Sequence, residues 1–317
     1  MKKASWAGIA LCIVSPVLWG TNFPAANRML GDIDAFWLTL FRFVIGGAIF
    51  VLILFFTEGR GAFHLDGQGW RLSLLGTLGF SLFGILTLLA VQFSNPVKVA
   101  LIMAMQPTLA AILNSALTKR LPPVYTIVTI ITAFIGVSLV VTEGDYVGLV
   151  TGKIGLGEAL ALLGALFWVL YSRAGTTFAG FSSMRYSTLT MVLSLPVSLA
   201  ITLIATSAGA AHVPTWDGIG RNWLLLVHIG AVISVIGVVA WNAGTKAIGP
   251  VNSMLFMNLV PVVAIVVELF LGYQPSAVAL AGAAVVILSL VTNGVLVRRA
   301  ARLAEANRVK ELPARGN

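Results

Sequence analysis

The 317-residue sequence has one cysteine, three histidines and a charged fraction of only 10%. The lone Cys12 excludes an intramolecular disulfide and any cysteine-built metal site. His64, His212 and His228 lack metal-ligand spacing, so neither a metal nor another cofactor is expected. No Walker A sequence is present, which leaves ATP drive within this chain unsupported. No clustered acid–base set or activated nucleophile appears, and an enzyme of the membrane is set aside. A soluble domain carries about 25% charged residues. With 58% hydrophobic residues and a mean hydropathy of +0.98, the chain is neither soluble and globular nor disordered.

What the sequence does have is a series of long apolar runs. Each is about 20 residues long, the length that spans a bilayer as a helix. The linkers are short and hold Gly, Pro, Asp and Asn, as turns between helices do. The runs predict ten spans at 7–26, 36–56, 72–92, 98–118, 124–142, 156–173, 186–206, 223–244, 251–271 and 276–297. Lipid offers no partner to backbone N–H and C=O groups, and the alternation of a barrel is absent, so the spans are helices. Lys2 and Lys3 before an apolar run imitate a signal peptide. No small-residue cleavage site follows, and the run is read as a retained first helix.

The net charge of +9 is read through sidedness rather than as a nucleic-acid footprint. With the N-terminus in the cytoplasm, fifteen Lys and Arg residues fall inside and four outside, namely Arg28, Lys98, Lys153 and Arg221. Arg42 alone lies within a span. That bias places both termini in the cytoplasm of a multi-pass protein of the inner membrane. The basic segment 298–317 is a cytoplasmic tail that anchors this orientation, with contact to anionic lipid as the lesser alternative.

An internal repeat emerges at an offset of 154. The segment PVKVALIMAMQPTLA from Pro96 and the segment PVNSMLFMNLVPVVA from Pro250 are identical at six of fifteen positions. Those positions include Pro107 and Pro261. Leu18-Trp19-Gly20 and Phe167-Trp168-Val169 hold matching places late in spans one and six. The chain therefore reads as two units of five spans, 1–148 and 149–297, followed by the tail. Five is odd, so the second unit enters the membrane from the opposite side. An inverted repeat of this kind is a device of secondary transporters.

The chain resembles the EamA-type branch of the drug/metabolite transporter superfamily. The resemblance rests on Leu18-Trp19-Gly20-Thr21-Asn22-Phe23, Phe41-Arg42-Phe43, the stretch Ala100 to Pro107, Trp241-Asn242, Leu259-Val260-Pro261-Val262 and Leu271-Gly272. Their order and spacing cover nearly the whole chain. In the family a Glu often follows the last Leu-Gly; here Tyr273 stands there, and the nearby acid is Glu268. The resemblance implies a metabolite exporter, and within the branch the kind that exports amino acids and related compounds.

Polar groups inside spans are costly and point to function by default. Pro107 and Pro261 each remove an N–H and free the carbonyls of Met103 and Met257, which predicts paired polar spots at mid-depth or simple packing kinks. Gln106 and Asn258 lie beside them. Met103 and Met257 suit a permissive pocket. Trp19 and Asn22, Trp168 and Tyr171, and Trp241 and Asn242 pair a ring with a polar group, either as pocket walls or as interfacial aromatics. These ten residues, Trp19, Asn22, Met103, Gln106, Trp168, Tyr171, Trp241, Asn242, Met257 and Asn258, form the expected substrate site. Arg42, His228 and Glu268 are the candidates for coupling or gating, Arg42 with Asp32 or Asp34 as its expected ion-pair partner. Gly230-x3-Ser234 and Ala279-x3-Ala283 are expected at close helix contacts. Mid-depth cations other than Arg42 are lacking, so neutral or zwitterionic solutes fit better than anions. A carrier of phosphorylated or nucleotide-linked metabolites is the alternative, and a non-transporting membrane scaffold a third reading.

Overall fold

The computed structural model of the chain describes residues 6–119, 121–145, 147, 155–175, 177–178, 180–248 and 253–311, with all side chains in these ranges except those of 254, 255, 301 and 304–311. Lys2, Lys3, Arg120, Lys153, Pro250, Val251, the 148/149 boundary and the tail beyond 311 lie outside the described residues. Every regular element among those described is helical.

The helices are α1 (Trp6–Met29), α2 (Ala35–Glu58), α3 (Gly69–Phe93), α4 (Pro96–Thr118), α5 (Val124–Thr142), α6 (Leu156–Gly175), α7 (Ser183–Ser207), α8 (Trp216–Ile248), α9 (Phe256–Phe270) and α10 (Ala277–Glu311). Among the described residues, nine helices are long and apolar enough to cross a membrane, and α9 is a shorter apolar helix. Several start where a side chain takes up an orphan N–H. Asp34 accepts from Phe36 and Trp37 at 2.9 and 3.1 Å, Asn95 from Lys98 at 2.8 Å, Ser182 from Arg185 at 2.9 Å and Thr215 from Gly218 at 3.0 Å. Gly272, at a φ of +93°, turns the chain out of α9, which explains the Leu-Gly pair on physical grounds.

Five of the helices are not continuous α-helix. α1 breaks at Thr21 because Pro24 brings no N–H to the carbonyl of Gly20. α4 breaks at Met105, two residues before Pro107. α9 opens in a 3-10 turn, Met254–Asn258, that ends three residues before Pro261 and gives way to α-helix at Leu259. α3 and α8 each hold a π-helical stretch, Thr77–Leu82 and His228–Ile236.

The packing exchanges partners between the two halves. α1 lies along the second part of α8, and α6 lies along α3. α2 packs on the π stretch of α8, and α7 packs on that of α3. α1 meets α9 and α6 meets α4, while α2/α7, α4/α9 and α5/α10 pair with each other. The α1/α8 contact is antiparallel: a Cβ on Gly8 would lie 2.6 Å from the Cβ of Ala247, and further along Ser15 Oγ donates to the Gly237 carbonyl at 2.7 Å. The α6/α3 contact is antiparallel as well, with Gly157 against Ser94 and Trp168 against Phe80 and Phe83.

In lipid, where no hydrophobic force draws apolar helices together, close approach through small residues supplies the van der Waals gain. The expected small-residue positions do this. Gly230 and Ser234 face Ile45 and Gly46 of α2, and Ala279 and Ala283 are buried. The tightest contact of α5 on α10 centres on Gly136 and Gly282, where a Cβ on Gly282 would sit 2.7 Å from the Gly136 carbonyl oxygen. Gly282→Leu is expected to overpack this seam and destabilise the fold by ~1–3 kcal/mol. Thermal melting of the detergent-solubilised protein reads the loss; Gly31→Ala, where nothing lies within 4 Å of the new carbon, leaves the melt unchanged.

Candidate functional site

The middle of the bundle is aromatic. Trp19, on α1, donates its indole N–H to the Ile233 carbonyl in the π stretch of α8 at 3.3 Å. Its ring lies 5.6 Å from that of Trp241. Trp168, on α6, takes the matching place against α3, with ring centroids 5.0 Å from Phe83 and 6.4 Å from Phe80. Trp19 and Phe83 both pack on one buried cluster that includes Phe23, Met103, Val260 and Ala264. Gln106 reaches back to Met103, its Nε2 3.7 Å from the sulfur. The structure thus gathers Trp19, Trp241, Met103 and Gln106 around one core, while Trp168 packs on a second cluster with Phe80 and Tyr171 and touches the first through Phe83.

The other expected residues fall around this centre. Tyr171 stacks on Tyr186 at 5.1 Å in a packed aromatic core, and its hydroxyl is shared with Thr190 at 3.2 Å. Asn22 is buried, and its Oδ1 has no hydrogen-bond partner. Asn242 is half-buried beside Trp241, and Met257 and Asn258 are half-buried in the 3-10 turn that opens α9. Pro107 is exposed and Pro261 buried. The N–H of Met105 turns to the carbonyls of Ile102 and Met103, and that of Leu259 to the carbonyls of Phe256 and Met257.

The ion pair expected for Arg42 is not formed. Its Nε donates to Ser234 Oγ at 3.0 Å, and its guanidinium lies 5.2 Å from the centre of the Phe43 ring. The reason is that both carboxylates are engaged elsewhere: Asp32 binds Arg221 and Asn222, and Asp34 caps α2 and accepts from the His212 N–H. Ser234 in turn donates to the Ile229 carbonyl at 2.7 Å, so Arg42 props the π stretch of α8. His228 Nε2 lies 2.9 Å from Thr21 Oγ1. Since Thr21 gives its one proton to the Leu18 carbonyl at 2.7 Å, the histidine nitrogen is the donor. Glu268 is buried, and its Oε1 has no hydrogen-bond partner.

The two ends of the bundle differ. One, the acidic end, carries Asp32, Glu143, Glu158 and Asp217; the other, the basic end, carries Arg71, Lys119, Arg173 and Arg185. At the acidic end Lys98 pairs with Glu143 at 3.0 Å and also donates to the Val141 carbonyl. Ser94 donates to Glu158 at 2.6 Å, and Arg221 bridges Asp32, at 2.7 Å, and Asp217. Tyr273 packs against the buried cluster that holds Val97, Leu101 and Val140. Around α4 the contrast is sharp. Seven of its first nine residues, Pro96–Ala104, are buried, but in Gln106–Thr118 only Thr108 is. There a cavity of about 830 Å³ opens between α4, α5 and α10 at the basic end. The acidic end holds a smaller one of about 180 Å³, lined by Thr21, Arg28 and His228 among others.

Sequence reasoning missed Phe23, Phe80, Phe83, Thr21 and Ser234. Single phenylalanines and hydroxyls in an apolar run carry no periodic signal. Thr21 and Phe23 stood in the span-one motif without a role of their own, and Ser234 was marked through its spacing from Gly230.

A family model described as the EamA-like transporter family matches residues 6–142 and again 155–294. An uncharacterized transporter of Bacillus subtilis, YrdR, is 28% identical over 94% of this chain and 95% of its own length. Another from the same organism, YyaM, is 31% identical over 89% of this chain and 92% of its own. An uncharacterized inner membrane transporter of Salmonella typhimurium, YicL, is 25% identical over about half of each chain, 54% and 55%. A solved crystal structure that is 20% identical matches 92% of this chain and 98% of its own with a TM-score of 0.64, a likeness of fold.

The acidic-end contacts make two predictions. Lys98→Met is expected to speed aqueous thiol labelling of Asn22→Cys, in a Cys12→Ser chain, roughly two- to five-fold, the worth of a partly exposed pair. The hydrogen bonds from Arg221 and Asn222 hold the Asp32 carboxyl below the ordinary carboxylate range. The stabilisation that this carboxylate lends to the acidic-end contacts is therefore present above that range and lost as pH falls through the lowered value. The solvent accessibility of a nitroxide attached at Asn22→Cys, read by its collision rate with a neutral relaxation agent, should rise only in strongly acidic buffer, and Asp32→Asn should remove that rise.

Proposed function

The chain belongs to the EamA-like transporter family, and from that premise we propose that it exports small neutral or zwitterionic metabolites, amino acids and related compounds, by alternating access across the inner membrane. In this reading it has ten spans as two inverted sets of five, with both termini cytoplasmic, so that the basic end faces the cytoplasm. The antiparallel contacts of α1 with α8 and of α6 with α3 support the inversion, since each helix meets the third helix of the other half in the opposite sense.

The observation that carries the proposal is the unlike burial of the two parts of α4. Its first part is sealed under ion pairs and its second stands open on a cavity, as in a carrier caught open to one side only. Two halves of similar make, meeting in opposite senses, give a mirror arrangement of comparable energy in which the other side opens. The π stretches and the breaks beside Pro24, Pro107 and Pro261 are where such helices bend without losing their packing.

Trp19, Trp168, Trp241, Met103 and Gln106 are assigned to the solute's path, with Asn22 offering an unfilled acceptor. Arg42 is assigned to positioning the π stretch rather than to an anion, because its Nε is committed to Ser234. Glu268 and His228 are the coupling candidates. In cells that carry the protein, loss of preloaded amino acids into the medium should exceed that of cells without it. Trp168→Ala or Gln106→Ala should cut that efflux about ten-fold or more at equal membrane expression, a loss of roughly 1.4 kcal/mol of stabilisation. Efflux unchanged in both variants would remove these residues from the path. Glu268→Gln should flatten the pH dependence of efflux; a profile superimposable on that of the parent protein removes Glu268 from coupling.

A further inference from the structure

The cavity at the basic end lies outside the residues so far assigned to the solute. It runs from Pro107, at the break of α4, to Thr118, Leu121 and Val297 at the surface of the bundle. One wall is a stripe of α4 at a spacing of three to four residues: Pro107, Ala110, Ala111, Asn114, Ser115 and Thr118. Tyr125 and Thr126 of α5, and Asn293 with Val297 of α10, form the others.

Three features say what this space takes. Its volume, about 830 Å³, is within the range of roughly 300–1,000 Å³ that holds small molecules. No lining side chain is charged. The polar groups are two carboxamides, several hydroxyls and nothing else, set among alanine, proline and valine. Asn293 Oδ1 has no hydrogen-bond partner, although a polar atom buried within a span is costly when left unpaired. Asn114 Oδ1 accepts from Arg173 at 2.9 Å, at the rim. A carboxamide presents both a donor and an acceptor. Asn114, whose Oδ1 is held by Arg173, can donate its N–H to the carboxylate of a zwitterion, and rotation of Asn293 out of the wall lets its buried Oδ1 accept from the ammonium, with the Arg173 guanidinium at the rim as a further partner for the carboxylate.

We propose that this cavity is the chamber in which the carrier first binds its solute, and that Asn114 and Asn293 recognise the zwitterionic head of an α-amino acid while Ala110, Ala111 and Pro107 receive its side chain. This rests on the transporter reading and adds to it the site of loading and the chemistry recognised there. Small residues along α4 leave the side-chain end unrestricted, so the chamber selects for the head group and accepts a range of side chains. Pro107, beside the break of α4, marks the deep end of the chamber.

The test uses the full chain in nanodiscs with Ser115→Cys in a Cys12→Ser background. The probes are a soluble maleimide and a mixture of the twenty standard amino acids. The mixture should slow labelling about five-fold when present at several times its dissociation constant, by simple occupancy. Asn293→Leu and Asn114→Leu, each added to that chain, should abolish the protection while the unprotected labelling rate stays the same, which shows that the chamber is still formed. Labelling that the mixture does not slow overturns the proposal, as does protection that survives both substitutions. Proteoliposomes loaded with the same mixture separate the two layers of the argument. Release without protection at Ser115→Cys contradicts the chamber and leaves the transporter reading intact; neither release nor protection contradicts amino acids as the substrate class. Slowing by added phospholipid alone identifies the chamber as a lipid crevice and also overturns the proposal.

Discussion

A carbonyl that loses its N–H partner inside a membrane has no water to turn to, and the architecture follows from how those carbonyls are met. The prolines and the π stretches free backbone groups in the middle of the bundle. Side chains from the first half reach carbonyls of the second at one π stretch, just past it, and in α7. Trp19 donates to Ile233, Ser15 to Gly237, and Ser73 and Ser81 to the carbonyls of Leu193 and Ser194. Each of these bonds runs from the first half to the second. Irregular backbone is thus held in protein rather than exposed to lipid. The same bonds fix how the halves are docked.

This arrangement accounts for the exchange of partners. A half on its own would leave its third helix with an unsatisfied π stretch and its first helix with a Trp facing lipid. Docked, α1 covers α8 and α6 covers α3. The glycines and serines along these contacts bring the backbones close enough for short side chains to bridge them. Among the described residues seven buried side-chain atoms stay unmatched: Asn22 Oδ1, Glu268 Oε1 and Asn293 Oδ1 lie on helices that line the two cavities, whereas Thr87 Oγ1, Arg185 Nε, Thr188 Oγ1 and Ser198 Oγ lie on α3 and α7.

The outline of the helices was legible in the sequence because membrane spans are set by length and hydropathy, and the expected boundaries fall within a few residues of most of those found. The repeat was legible through Pro107 and Pro261, which mark breaks in both α4 and α9. The break in α1 was not read, although Pro24 was visible, because its helix looked continuous by hydropathy. The π stretches leave no composition of their own. Arg42 was assigned the wrong partner for a physical reason: a pattern counts available carboxylates, whereas helix capping by Asp34 and the Arg221 pair on Asp32 had already used them. Gly230-x3-Ser234 was read as packing alone, and its hydroxyl turned out to carry the arginine. The cavity at the basic end depends on how far α4 stands from α5 and α10, a quantity that no local pattern encodes.

The central claim is that the two ends of the bundle open in alternation. Double electron–electron resonance on two spin-labelled pairs tests it most directly: Thr118 with Val297 across the cavity at the basic end, and Gly31 with Gln274 across the acidic end. In lipid nanodiscs the account predicts two distances for each pair with opposed populations, and the substitution Lys98→Met lengthening the acidic-end distance while shortening the basic-end one. A single unchanging distance in both pairs, or both ends lengthening together, would contradict it.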